Sequence, residues 1–366
     1  MGLGLPEKIR AIEEEMSRTQ IHKHTEHHVG LLKAKLAKLK AEQERSQSSK
    51  HSGGVGFELK KGGDCTVVLI GLPSVGKSTI LNHLTNAKSR VAAYAFTTLT
   101  VVPGLLEYQG AKIQILDLPG IISGAATGTG RGRRVLSVAK NADLIMLVLD
   151  VFQPDQVNTL TKELYEIGIR LNTRPPDVTI NRTTQGGLGI TTACRLTHLT
   201  EATVRAIMNV YKINQGGVII REDITDDQLI DVISDNRRYI PSITVLNKID
   251  LVNPKYVEEV RTRVGAGIIP ISADQNVNLE ELKKAIYDNL KLIKVYLKPR
   301  NGSADFEEPL IVTAGSTISD VCAKIHRKVA GEAKYALVSG DSVRFSPQRV
   351  GMDHVVQDRD IVTIIK

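Results

Sequence analysis

"CTVVLIGLPSVGKSTILNHL", Cys65 to Leu84, decides how the chain folds. An apolar, β-branched run leads into a glycine-containing loop, and apolar residues then recur at Ile80, Leu81 and Leu84 with the spacing of a helix face. The order strand, loop, helix puts "GLPSVGKS", Gly71 to Ser78, where G-x-x-x-x-G-K-[ST] works as a phosphate cradle. Gly71, Leu72, Pro73, Ser74, Val75, Gly76, Lys77, Ser78 and Thr79 are therefore the expected phosphate-binding residues. Loop N–H groups and the helix N-terminus would face the phosphates. Lys77 would neutralise the β and γ groups, and the Ser78 hydroxyl would hold Mg²⁺.

A second stretch, "ILDLPGIISG" from Ile115 to Gly124, follows another buried strand. Asp117 is expected to hold the metal through water and the Gly120 amide to sense a γ-phosphate. Many nucleotide-hydrolysing folds follow that glycine with a Gln that orients the attacking water, but Ile121 stands here. Between the two motifs lies "YAFTTLTVVPG", where a Thr hydroxyl and amide could close on Mg²⁺ and the γ-phosphate as an ordering switch. Thr97 and Thr98 both qualify, Thr98 is assigned to the metal, and entry into a strand is the structural alternative for either.

"NKID", Asn247 to Asp250, follows the apolar run "SITVL" and so stands at the carboxyl end of a parallel strand, where open α/β sheets bind ligands. An Asp250 carboxylate there can accept two hydrogen bonds from the N1 and N2 edge of guanine, which adenine does not offer. Asn247, Lys248 and Asp250 are the expected base contacts, completed by Ser272 and Ala273 of "ISA" after a further buried strand.

The rest of the chain surrounds this α/β frame. Glu/Lys-rich segments with apolar residues at Ile9, Ile12 and Met16, then at Val29, Leu32, Leu36 and Leu39, read as a helical hairpin over residues 1–48. Between its arms "HKHTEHH" gathers His22, His24, His27 and His28, either a metal cluster or solvated residues at a bend. "SQSSKHSGGVG" reads as a flexible stretch, with the linker placed at 49–63. The nucleotide-binding frame is assigned to 64–168 and 239–291, interrupted by a small α+β insertion at 169–238. There "DVTINRT" and "LGITTA" read as strands, and "TDDQ" as a capping box from Thr225 to Gln228. Residues 292–366 show two strands, a helix led by Thr317 and Asp320, and strands at "YALVSG", "SVRFS" and "DIVTII", a β-grasp pattern.

The 366 residues contain no apolar run of bilayer length, and the net charge of +8 suits either an RNA or ribosomal partner or simply a basic, well-solvated surface. Three dispersed cysteines fit neither a disulfide framework nor a zinc site, and "MGLGLPEKIR" has no signal-peptide pattern, so a cytoplasmic location is expected. Arg131, Arg133 and Arg134 of "GAATGTGRGRRV" could offer charge to a transition state, bind rRNA phosphates, or start a solvated basic helix.

"GLPSVGKS", "AFTTLTVVPG", "DLPGII", "GRGR" and "NKID" stand in the order of the developmentally regulated GTP-binding proteins, the DRG family of Obg-related translation-factor GTPases, which the chain resembles over nearly its whole length. The resemblance implies a P-loop GTPase domain, an N-terminal helix-turn-helix-like hairpin, an insertion like domain 2 of ribosomal protein S5, and a C-terminal TGS domain. It further implies a cytoplasmic GTPase acting with ribosomes; the expected protein is a monomer, away from membranes, that binds GTP and GDP, hydrolyses GTP slowly when alone and has the ribosome or rRNA as partner, with the action of an accessory regulatory protein left open. An apolar residue at the Ile121 position is common in that superfamily. Some relatives recruit K⁺ with a P-loop Asn, where Ser74 stands here. A nucleotide-gated RNA-binding scaffold with incidental hydrolysis is the alternative.

Overall fold

The computed structural model describes residues 4–20, 25–49, 62–85, 102–118, 138–265 and 267–365. Thr97, Thr98, Gly120, Ile121, the arginines at 131, 133 and 134, and His22 and His24 lie outside the described residues. The chain divides into two compact units, Met1–Glu58 with Gly168–Tyr239, and Leu59–Ile167 with Ile240–Lys366.

In the first unit, helices Leu5–Arg18 and Glu26–Ser49 pack on each other, tied by Lys40 to Glu13 at 2.9 Å and His28 to Glu15 at 3.0 Å. The second helix runs through Ser49, into the stretch whose serines suggest a flexible linker. Its Ala34 is buried in one apolar cluster with Val204, Ile207, Val218 and Leu229 of the inserted segment, so hairpin and insertion share a core. Lys33 spans the same junction, 3.2 Å from Asp226 Oδ1 and 2.9 Å from Asp227 Oδ2. The insertion holds a three-stranded sheet with Gly216–Ile220 central, antiparallel to Val178–Arg182 and parallel to Leu188–Thr192. Helix Asp226–Ser234 begins with the capping box expected from "TDDQ": Thr225 Oγ1 accepts from Gln228 N while Gln228 Oε1 accepts from Thr225 N. The same helix carries Asp231, buried, which takes Arg170 Nε at 2.6 Å and Arg237 Nε at 2.8 Å and so clasps the entry and exit of the insertion.

The second unit is built on a six-stranded sheet in the order Ile268–Pro270, Ser242–Asn247, Leu144–Asp150, Cys65–Ile70, Ala111–Asp117, Val102–Tyr108. All neighbours are parallel except the last pair, a hairpin turned at Gln109 and Gly110. Near-continuous burial of Val67, Leu69, Ile113, Ile115, Met146, Val148 and Val245 is what a parallel sheet covered on both faces requires. Because the parallel strands end on one rim, Gly71, Asp117, Asp150, Asn247 and Ser272 are brought there together.

The C-terminal residues form a five-stranded sheet, Leu310–Thr313, Leu292–Leu297, Ile361–Ile365, Tyr335–Ser339, Gln348–Val350. Helix Ile318–Ile325 lies over it with Ile318, Val321 and Cys322 buried, and the Thr317–Asp320 capping box starts that helix. One expectation is corrected: "SVRFS" is a turn, and the strand lies at Gln348–Val350. Gln348 Oε1 accepts from Arg344 N at 3.0 Å and Phe345 N at 3.3 Å, and pairing with Val338 starts only after Pro347, which has no N–H to give a ladder.

Candidate active site

Gly76 is required by both backbone and packing. It has φ 94°, and a Cβ there would stand 2.2 Å from Asn247 Nδ2. Gly71 passes so close to the neighbouring strand that a Cβ would meet the Val148 carbonyl oxygen at 2.3 Å. These approaches draw the loop tightly around the start of helix Lys77–Leu84, whose N-terminus has no side-chain cap. Its first N–H groups therefore remain available to an anion.

Lys77 is 8 % exposed, and its Nζ donates to the Gly71 carbonyl at 2.9 Å and the Leu72 carbonyl at 2.7 Å. The ammonium is thus folded back into its own loop. Burial lowers its pKa, and the nearby Asp117 charge opposes that shift without cancelling it. Ser78 Oγ donates to Asp117 Oδ2 at 2.7 Å, while Asp117 Oδ1 is buried with no hydrogen-bond partner among the described residues. An orphaned carboxylate oxygen beside a hydroxyl is a hard oxygen donor set, and it fits Mg²⁺. The expected metal residues Ser78 and Asp117 are together; Thr98, the third, lies outside the described residues.

Across the rim, Asn247 is buried and braces two other segments: Nδ2 donates to the Val75 carbonyl at 2.9 Å, and Oδ1 accepts from Ala273 N at 3.1 Å. One amide therefore ties the phosphate loop to the "ISA" turn. Ser272, fully buried, accepts from Gln275 N through Oγ at 3.2 Å and shapes that turn, and Asp250 stands exposed at its side of the rim. Lys248 has φ 68°, and its Nζ lies 2.7 Å from Asp150 Oδ2. Asp150 is absent from the sequence expectations. Its only signal is an acid closing the apolar strand "LIMLVLD" on the ligand rim.

Among known proteins, families described as "50S ribosome-binding GTPase", "C-terminal region of MMR_HSR1 domain" and "TGS domain" match residues 66–182, 185–292 and 293–366. The chain is 44 % identical to developmentally-regulated GTP-binding protein 2 of Homo sapiens, covering 100 % of both chains. The chain belongs to the developmentally regulated GTP-binding protein family. Ribosome-interacting GTPase 1 of Saccharomyces cerevisiae is 46 % identical over 98 % of each chain. An uncharacterized GTP-binding protein of Methanocaldococcus jannaschii is 50 % identical over 99 % of this chain and 93 % of the relative. This DRG-family member is a P-loop GTPase with a C-terminal TGS domain. Among its described residues no helix is long and apolar enough to cross a membrane.

Proposed function

We propose that the chain binds GTP with Mg²⁺, hydrolyses it slowly when alone, and acts with ribosomes in translation in the cytoplasm. The observation that carries the site reading is the pairing of Ser78 Oγ with an Asp117 carboxylate whose other oxygen is buried and has no partner among the described residues, beside an ammonium already inside the loop. Lys77 would exchange its two carbonyl partners for β and γ phosphate oxygens, a stronger charge-assisted contact. Ser78, Asp117 and Thr98 would hold Mg²⁺, which when bound neutralises charge on the phosphates. Asp250 would select guanine, with Asn247 holding the phosphate and base segments in register. Gly120 and Thr97 or Thr98 would hold the γ-phosphate and the attacking water, since Ile121 has no group to do so.

The ribosomal role is supported by the names of the matching family and of the yeast relative, and by the net charge of +8, which favours a polyanionic partner. We assign 1–48 as hairpin, 49–63 as linker, 64–168 with 239–291 as GTPase domain, 169–238 as insertion and 292–366 as TGS domain. K⁺ is proposed as an accelerating cation and the protein as a monomer. Multiple-turnover phosphate release from GTP in K⁺ and in Na⁺ buffer, together with co-sedimentation on ribosomes with GDP or a non-hydrolysable GTP analogue, tests the proposal. Ribosome binding that follows nucleotide state without measurable turnover would favour the scaffold alternative, to which Ile121 points.

A further inference from the structure

We propose that Asp150 is a positioning residue of the guanine pocket, fixing the Lys248 side chain so that its methylene stem walls the base. The inference rests on the reading of "NKID" given above. Asp150 and Asn247 are in register on adjacent parallel strands, so Asp150 closes its strand beside the residue that begins the motif. Each of its carboxylate oxygens has a partner: Oδ1 accepts from Phe152 N at 2.9 Å, fixing the turn, and Oδ2 lies 2.7 Å from Lys248 Nζ. The pair is substantially withdrawn from water, the two side chains being 17 % and 28 % exposed.

Lys248 has unusual needs. Its φ of 68° is a left-handed conformation that a side chain disfavours, so the surrounding contacts must hold it there. A lysine stem is apolar and flexible, and it becomes a wall only when its end is anchored. Asp150 supplies that anchor, ordering the stem before nucleotide arrives. Affinity gained by such preorganisation is gained by every ligand that presents the same base. GTP and GDP should then benefit equally, with no effect on the chemical step.

The test uses the full chain and measures fluorescent GTP and GDP affinities with single-turnover rates. Asp150→Asn keeps an oxygen for Phe152 N and loses the ion pair. It should weaken both nucleotides about five- to tenfold while the rate at saturation falls less than twofold, the pattern of lost uniform binding. Lys248→Met keeps a stem and loses the anchor. Adding it to Asp150→Asn should cause little further loss, because both changes remove one interaction. Affinities within twofold of wild type for Asp150→Asn, or fully additive losses in the double variant, would overturn the inference. If Asp150→Asn does not fold, Lys248→Met alone decides: unequal losses for GTP and GDP, or none, overturn it. Asp250→Asn runs alongside. If it leaves GTP affinity unchanged, the pocket reading falls and this inference with it; if it weakens GTP while Asp150→Asn does not, only this inference falls.

Discussion

Lys324 Nζ lies 2.8 Å from Asp64 Oδ1, joining the helix of the C-terminal module to the residue just before strand Cys65–Ile70. Asp64 also accepts from Lys112 N at 2.9 Å, so the contact sits at the amino end of the sheet, opposite the rim that holds Gly71, Asp117 and Asn247. Leu292 and Ile311 of the module are buried in the same apolar cluster as Leu106, Ala111 and Ile113. Removing 292–366 therefore opens the GTPase core without touching the rim. Each buried aliphatic side chain contributes about 1.5–3 kcal/mol, so the truncated protein should melt on the order of 10 °C lower. At low temperature it should bind GTP within about threefold of the full chain. Thermal denaturation and nucleotide titration check this, and an unchanged melting temperature would show that the module folds separately.

Lys77 is a charge held in place for a ligand. Its folded-state pKa is lowered by burial, so between that value and the ordinary one the unfolded chain carries more protons, and stability rises with pH in that window. Below the window the penalty is fully present. Lys77→Met removes it, so the nucleotide-free variant should melt at or above wild type near neutral pH, and the gap should close as pH rises into the lysine range. GTP affinity should fall at least about 100-fold, as a charge-assisted contact to the phosphates is lost. Melting curves from neutral to alkaline pH read the first effect. A variant less stable than wild type at neutral pH would show that the two carbonyl bonds outweigh desolvation.

Asp250→Asn should exchange base preference. The carboxylate only accepts, whereas an amide can also donate to the second carbonyl of xanthine. GTP affinity should fall and xanthosine triphosphate affinity rise, by at least about tenfold each, or roughly 1.4 kcal/mol. Competition of the two nucleotides against a labelled one measures it, and unchanged GTP affinity would remove Asp250 from the pocket.

The loop between Ile70 and Lys77 was readable because an unbroken apolar strand, a glycine pattern and helical spacing coincide within about 20 residues of one another. Strand Val102–Tyr108 was not. It carries Pro103 and Gly104, ordinarily strand breakers, which are tolerated because it is the edge of the sheet. Asn247 could be read as a ligand contact but not as a brace between Val75 and Ala273, since those partners lie 172 and 26 residues away. Asp150 escaped for the same reason: its partner Lys248 is 98 residues distant, and only the strand register makes them neighbours. Sequence patterns expose periodicity and local capping, as at Thr225 and Thr317, while pairings across the sheet become visible only with the topology.

The Ser78–Asp117 pair makes a prediction about metal dependence. Asp117 Oδ2 is satisfied by the Ser78 hydroxyl at 2.7 Å, and Oδ1 is buried without a hydrogen-bond partner among the described residues. A buried, unpartnered carboxylate oxygen is costly, and a divalent cation bound with the nucleotide would relieve that cost. Part of the apparent affinity for GTP with Mg²⁺ should therefore come from this carboxylate. Asp117→Asn removes the charge while preserving shape, and its amide can still take part in hydrogen bonds. Wild-type affinity for GTP should drop at least about tenfold when EDTA replaces Mg²⁺, whereas in Asp117→Asn the drop should shrink to less than about threefold. In the nucleotide-free variant two changes oppose each other, since the unpaired anionic oxygen is gone while Lys77 loses the Asp117 charge that offsets its burial, so its melting temperature should stay within about 3 °C of wild type. Titrations of labelled GTP in Mg²⁺ and in EDTA, with melting curves of the nucleotide-free proteins, measure both effects. Should the EDTA effect be equal in wild type and variant, the cation is held without Asp117 and the orphaned oxygen has another partner in the loaded state.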